Sequence, residues 1–351
     1  MASPEQQIEF LSNLQRLLAE GSFVSTYKYA LLLSLADLCI EHGRDDDAPL
    51  TLPTRLIGEK FAEYYWRQSA PYLPAGGADA GVLRQNTGEP PRIIKLLRYV
   101  RGAFEDSLVN LRRDEQVWRR TVTQVAAQVR KMPLWKLQTV GNQRLDFLYD
   151  NTGTGSSITL KPGVAFSFRK HYPLVVDLVK GAWAQYVRRY NADRLAEKSD
   201  LHEFLFGSER ANLAVVRPIL EHFQAGLCFY CRSPLKEDAG HVDHFIPWSR
   251  YPVDLGHNFV LAHATCNERK SDRLPAVQHL NVWVEHNQNL GRDKGREFER
   301  YGVIHDLSAS TRIIDWAYRQ TSTFKGLTWL RAKEFEPLPA DWNRLLVTIL
   351  N

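Results

Sequence analysis

Apolar positions fall at helical spacing through most of the chain. Over residues 5–20, Ile8, Leu11, Leu14 and Leu18 share one helix face. The next helix, residues 26–42, is apolar nearly all round from Tyr29 to Ile40, which places it inside a core. Glu41–Pro49, with Asp45, Asp46 and Asp47 in a row, reads as an exposed acidic loop. A helix at Gly58–Ser69 and a Pro/Gly-rich connection at Pro71–Pro90 follow. Residues 92–131 read as one long or two shorter helices. Ile93, Leu97, Val100 and Phe104 line one side, while Arg92, Lys95, Arg98 and Arg101 fan across the other. The period changes at 144–150 and 157–169, which alternate around Asn151–Ser156 and predict a β-hairpin or small sheet. Helices return at 174–190 and 209–225, with Pro218 a kink or boundary in the second. From Leu274 the tail reads as helices ending in the apolar stretch Leu345–Leu350. The pattern therefore predicts an α+β fold that is mostly helical.

Composition narrows the class. A chain of 351 residues has room for two or three domains, and 44% hydrophobic with 11% aromatic residues excludes a largely disordered protein. No apolar run is long enough for a membrane span. The polar N-terminus MASPEQQIEF lacks a secretory pattern, so a cytoplasmic location is expected, where four cysteines would stay reduced. The net charge of +5 is uninformative until it is divided. Residues 1–91 carry 7 Lys+Arg against 12 Asp+Glu, residues 92–198 carry 20 against 9, and residues 199–351 carry 18 against 19. The basic block at 92–198 is either a solvated helical face or a surface that holds a polyanion.

Chemistry concentrates in residues 226–275. Cys228-x-x-Cys231 is one half of a zinc knuckle, and His263-x-x-Cys266 supplies a second pair some thirty residues on. Two close pairs provide the four tetrahedral N/S ligands of structural Zn²⁺. His241 or His257 are alternatives to His263 as the fourth ligand, and Cys39 falls alone in an apolar helix. Between the pairs, Asp243 and His244 are adjacent, so their side chains diverge on an extended strand. Asp243 and Asn267 offer hard oxygens suited to Mg²⁺ or Mn²⁺, and a histidine beside such an ion can deprotonate water.

These spaced elements together resemble the HNH nuclease motif, the ββα-metal fold, in its zinc-bearing form. The run VDHFIPWS…NFVLAHATCNERKSD is similar to the HNH domain of RNA-guided Cas9 nucleases. The resemblance covers about one seventh of the chain. It departs from the family at Asn267, where many relatives have histidine, and at His263, where cysteine is more usual. The resemblance implies that His244 is the general base and that Asp243 and Asn267 are ligands of the catalytic ion. It implies that Asn258 holds the loop, while Lys270 either touches a phosphate or lies in solvent. Trp248, Ser249 and Arg250 would contact the backbone or pack the loop. The implied organisation is a mainly helical regulatory or binding region at 1–225, an HNH module at 226–275 and a helical region at 276–351. The partner implied is duplex DNA, with Arg92, Lys95, Arg98 and Arg101 as candidate contacts. Ser25–Leu38 is also similar to the start of some prokaryotic HNH proteins of antiphage defence, which would add other subunits of a defence system as partners. The expected function is a metal-dependent DNA endonuclease of defence or restriction. The alternatives are a nicking or homing-type enzyme of a mobile element, and a non-catalytic DNA- or partner-binding protein.

Overall fold

The first helix begins where its sequence says it should. The Ser3 hydroxyl accepts from the Gln6 amide, the Gln6 side chain accepts from the Ser3 amide, and Pro4 opens α1 (Pro4–Glu20). The computed structural model describes residues 2–73, 81–150, 155–195, 200–207, 213–236 and 239–350. It divides into two compact units, Met1–Ser208 and Glu209–Asn351.

The first unit runs α1, α2 (Tyr27–His42), β1 (Leu50–Pro53), α3 (Thr54–Gln68), α4 (Arg92–Ala103), α5 (Leu108–Arg113), α6 (Glu115–Lys131) and α7 (Pro133–Lys136). It continues with β2 (Thr139–Val140), β3 (Gln143–Arg144), β4 (Ser157–Leu160), α8 (Val164–Lys170), α9 (Tyr172–Tyr190) and α10 (Leu201–Phe206). Helix α2 is its axis: every residue from Tyr27 to Glu41 is buried, against α3, α8 and α9. Both carboxylates that α2 takes inside are answered. Asp37 accepts hydrogen bonds from the Tyr64 and Tyr172 hydroxyls, and Glu41 pairs with Lys60 at 2.6 Å. Glu63 carries the chain of charges on to Arg112 at 2.7 Å.

Three expectations need correction here. Helix α1 buries Phe10, Leu14 and Leu17, and leaves Ile8 65% exposed. Phe10 packs edge-on against Phe168, with centroids 4.9 Å apart, and its larger apolar surface turns the helix toward it. The basic stretch is three helices: Glu105 and Asp106, both in left-handed backbone, break it after α4, and Asp114 breaks it after α5, capping α6 through the Val117 amide. Of the expected hairpin or small sheet, the two segments meet at an isolated antiparallel bridge, Tyr149↔Leu160, and the ladders form at longer range: β4 pairs antiparallel with β1, from Leu50↔Leu160 to Pro53↔Ser157, while β3 pairs with β2. Residues 151–154 of the expected turn lie outside the described residues. Only residues 157–160 of the second segment are extended. Gly163 in the left-handed region ends that segment, and α8 follows, buried from Val164 to Arg169. A segment buried all round has no polar phase to reveal its period.

The second unit comprises α11 (Leu213–Phe223), β5 (Gly240–His244), β6 (Phe259–His263), α12 (Ala264–Lys270), α13 (Val277–Arg300), α14 (Leu307–Thr323), β7 (Leu327–Arg331), β8 (Glu334–Pro337) and α15 (Arg344–Leu350). Pro218 sits inside α11 and does not end it; residues 209–212 lie outside the described residues. Strands β5 and β6 pair antiparallel from Gly240↔His263 to His244↔Phe259, and α12 follows directly. Val216, Ile219 and Leu220 of α11 close over Phe259, Leu261, Phe298 and Val303 as one apolar cluster. The tail, expected to be wholly helical, also contains the hairpin β7–β8. Its first strand is tied to the chain just after α12. The Trp329 amide donates to the Leu274 carbonyl, and the Ala276 amide donates to the Trp329 carbonyl, at 2.8 and 2.7 Å.

Candidate active site and metal centre

Cys228, Cys231, His263 and Cys266 come together with their ligand atoms all within 4.8 Å of one another. The first pair sits in a tight turn in which the Cys228 amide donates to the Ser233 carbonyl and Arg232 is left-handed. The second pair straddles the junction of β6 and α12. The His263 ring sits 3.2 Å from the Pro234 carbonyl at Nε2 and 3.3 Å from the Cys231 sulfur at Nδ1. A carbonyl only accepts, so Nε2 carries the hydrogen and Nδ1 keeps its lone pair toward the thiols, the orientation a metal requires. Burial and the neighbouring Cys228 and Cys231 raise the Cys266 thiol to about 12. Burial also works to raise Cys231, but hydrogen bonds from Ser233 and Cys228 outweigh it and bring that thiol down to about 7. Three crowded sulfurs cannot share negative charge without a cation between them, and the donor set fits Zn²⁺. His241 is exposed, and His257 is buried with its Nε2 on the Gly291 carbonyl, so neither joins the cluster.

Asp243 and His244, adjacent at the end of β5, have separate surroundings. Asp243 is buried. Its Oδ2 accepts from the Tyr230 hydroxyl at 2.6 Å, and the Lys270 ammonium lies 3.0 Å from Oδ2 and 3.2 Å from Oδ1. Lys270 is therefore at neither a phosphate nor the solvent. Its side chain is fully buried and also donates to the His244 carbonyl at 2.9 Å. Burial lowers its pKa while Asp243 opposes the shift. The ammonium is drawn inward because a buried carboxylate needs a counter-charge. His244 stands on the other side, its Nε2 2.8 Å from Asp254 and its ring edge-on to Trp248 and Phe259.

Asn258, also buried, accepts from the Ile246 amide at 2.8 Å and donates to the Ile246 carbonyl at 3.1 Å. It thus clamps the backbone two residues past His244. Asn267 is half-buried on α12, directly after Cys266, and its side chain makes no hydrogen bond among the described residues. Asp243 and Asn267 are hard oxygen donors of the kind that hold Mg²⁺ or Mn²⁺, and Oδ1 of Asp243 keeps acceptor capacity beyond its contact with Lys270. Arg250 packs the loop, donating to Thr321 Oγ1 at 3.2 Å, and Ser249 is exposed.

Two residues here escape sequence reasoning. Tyr230 lies between the first two zinc ligands, where only the spacing of its neighbours draws notice. Asp254 sits in an irregular loop with no pattern to mark it. In the first unit, Arg92, Lys95 and Arg98 are exposed on α4 beside Tyr99, which is 83% exposed. Arg101 departs from that face: its guanidinium stacks over the Trp66 ring at 4.9 Å, donates to the Trp66 carbonyl and pairs with Asp106. An aromatic ring and a carbonyl within reach hold it better than water does.

A strand pair, a short helix and a cysteine–histidine cluster at their junction define a zinc-compatible ββα module. In agreement, the family model for HNH endonuclease matches residues 228–273. A second family model, described as a domain of unknown function (DUF8808), matches residues 7–205, more than half the chain, and the protein belongs to that family. No curated protein and no solved structure matches the chain. Among the described residues, no helix is long and apolar enough to cross a membrane.

Proposed function

We propose that the protein is a DNA endonuclease that hydrolyses phosphodiester bonds in the presence of Mg²⁺ or Mn²⁺, leaving 5′-phosphate and 3′-hydroxyl ends. The observation that carries this reading is the pairing of an ordered histidine, His244, with a buried carboxylate, Asp243, at one strand end beside a zinc-type cluster. His244 takes the proton from the attacking water. Asp243 and Asn267 would hold the divalent ion, which supplies positive charge for the phosphoryl and leaving 3′ oxygens. Tyr230 and Lys270 fix the Asp243 carboxylate, so its oxygens face one way without reorganising. Asn258 holds the backbone that carries His244. The zinc cluster joins the knuckle that bears Tyr230 to the helix that bears Asn267 and Lys270.

The exposed face of α4, with Arg92, Lys95 and Arg98, serves as a non-specific contact to duplex phosphates in this proposal. The proposed setting is antiphage defence or restriction, with other subunits of such a system as partners. The sequence similarity of Ser25–Leu38 to defence proteins falls mostly on α2, buried from Tyr27 to Glu41, where core packing accounts for the same residues. The test is cleavage of supercoiled plasmid and phage DNA by wild type and His244→Ala, with and without Mg²⁺. Wild type is expected to cut only with the ion, and His244→Ala to be slower by about 10²–10⁴-fold with unchanged DNA binding. Equal cutting by both proteins would sink this mechanism. Nicked circles without linear product would instead favour the mobile-element nicking enzyme. DNA binding without any cleavage would leave a non-catalytic binder.

A further inference from the structure

Resting on the reading of His244 as the group that activates water, we propose that Asp254 is a positioning residue that selects the ring nitrogen able to act. The Nε2 atom of His244 lies 2.8 Å from Oδ1 of Asp254. An ionised carboxylate can only accept a hydrogen bond, so Nε2 must carry the ring hydrogen. The other nitrogen, Nδ1, is then left with its lone pair, and it makes no hydrogen bond among the described residues. The ring cannot readily turn to exchange them. Phe259 meets it at 4.9 Å and Trp248 at 5.4 Å between centroids, with interplanar angles of 63° and 62°.

The loop that presents Asp254 is fixed on both sides. Tyr251 before it is buried, and the Val253 amide donates to the Tyr251 carbonyl at 2.9 Å. Two residues after it, the Gly256 amide donates to the Ile304 carbonyl at 2.7 Å. A Cβ at Gly256 would come within 2.5 Å of the Phe298 ring, so only glycine permits that approach. Asp254 is thus placed by the fold of the second unit, on the loop that follows β5, ten residues after the histidine it meets.

The step balances simply. Nδ1 accepts a proton from water as the water oxygen bonds to phosphorus, the phosphorus–O3′ bond breaks, and the 3′ oxygen takes a proton from solvent. The ring, now a cation, is paired with the Asp254 carboxylate until it returns its proton to solvent.

The test uses the full chain with D254A, D254N and D254E, each checked for zinc content and thermal stability equal to wild type. On supercoiled plasmid at saturating Mg²⁺, D254A is expected to lower kcat by about ten- to a hundredfold with KM unchanged. D254N keeps an acceptor oxygen but no charge and should fall between, while D254E should recover part of the loss. Independently, nitrogen-15 NMR of the ring near neutral pH should show the Nε2–H form of His244 in wild type and a mixture with Nδ1–H in D254A. Wild-type kcat in D254A, or an Nδ1–H ring in wild type, overturns the assignment. Loss of cutting in His244→Ala with none in D254A removes the role of Asp254 alone. Failure of wild type to cut removes the nuclease reading, and the NMR tautomer still decides whether Asp254 sets the ring.

Discussion

Both units bury ionisable groups, and they do so to different ends. In the first unit, Asp37 takes two tyrosine hydroxyls, Glu41 takes Lys60, and Glu63 takes Arg112. These three carboxylates are each answered by side chains from the surrounding helices, which fits a polar lattice that fixes how helices pack around α2. In the second unit Asp243 is answered just as fully, by Tyr230 and Lys270. What differs is its neighbours. Asp243 is followed by a histidine that, among the described residues, is hydrogen-bonded through one nitrogen only, and α12 carries an asparagine whose side chain makes no hydrogen bond among those residues. Buried charge by itself does not mark a site; a satisfied charge next to a group with spare bonding capacity does.

The largest effect expected from this contrast is on the metal centre. Removing zinc, or changing Cys228→Ser, should unfold the second unit at a cost of several kcal/mol and leave the first unit's transition in place. Calorimetry resolves the two, and metal analysis should find about one zinc per chain. A single shared transition that ignores zinc would erase the distinction between the units. Next comes Asp37→Asn, expected to cost about 2–3 kcal/mol in the first unit without changing cleavage per folded molecule. A loss of chemistry greater than the loss of folded protein would make Asp37 more than structural.

A third effect separates the units by pH. Burial pushes the Lys294 amine of α13 down to about 7, next to His286, which burial pushes down to about 4. Between pH 7 and the ordinary lysine range, the unfolded chain holds a proton that the folded unit does not. Stability of the second unit should therefore rise with pH through that window, by on the order of 2 kcal/mol from pH 7 to pH 9. Lys294→Met should flatten the rise, as read from chemical denaturation of each unit. An unchanged slope assigns it to other groups. The smallest effect lies on α4. Arg98→Glu should weaken DNA binding by about 1 kcal/mol and reduce its salt slope by about one. Arg101→Glu should lower stability of the first unit, because Trp66 and Asp106 lose their partner.

The metal centre was the most legible part of the sequence because four soft ligands at fixed spacing have few other uses. Asp243, His244 and Asn258 are marked by the resemblance of their run to the HNH motif, which spacing alone would not single out. The placement of Lys270 is not legible, since nothing in a helical Lys foretells whether its stem turns toward a buried carboxylate or toward water. The α2 core helix is readable from its nearly all-apolar run. The pairing of β1 with β4 is not, because it joins segments about a hundred residues apart whose alternation spans only four residues each. Arg101 shows the same limit on a smaller scale: the wheel placed it on a basic face, but the aromatic ring that claims it comes from another helix.

Helix α12 is seven residues long, far below the length at which an isolated helix persists in water. Its place is set at its N-terminal end by Cys266 and at its C-terminal end by the buried Lys270. On the proposed reading, the ligand Asn267 is therefore only as well placed as the zinc beside it. Cellular zinc supply then fixes what fraction of molecules can respond to magnesium at all, and a chelator chosen to remove one ion would silence the protein through the other.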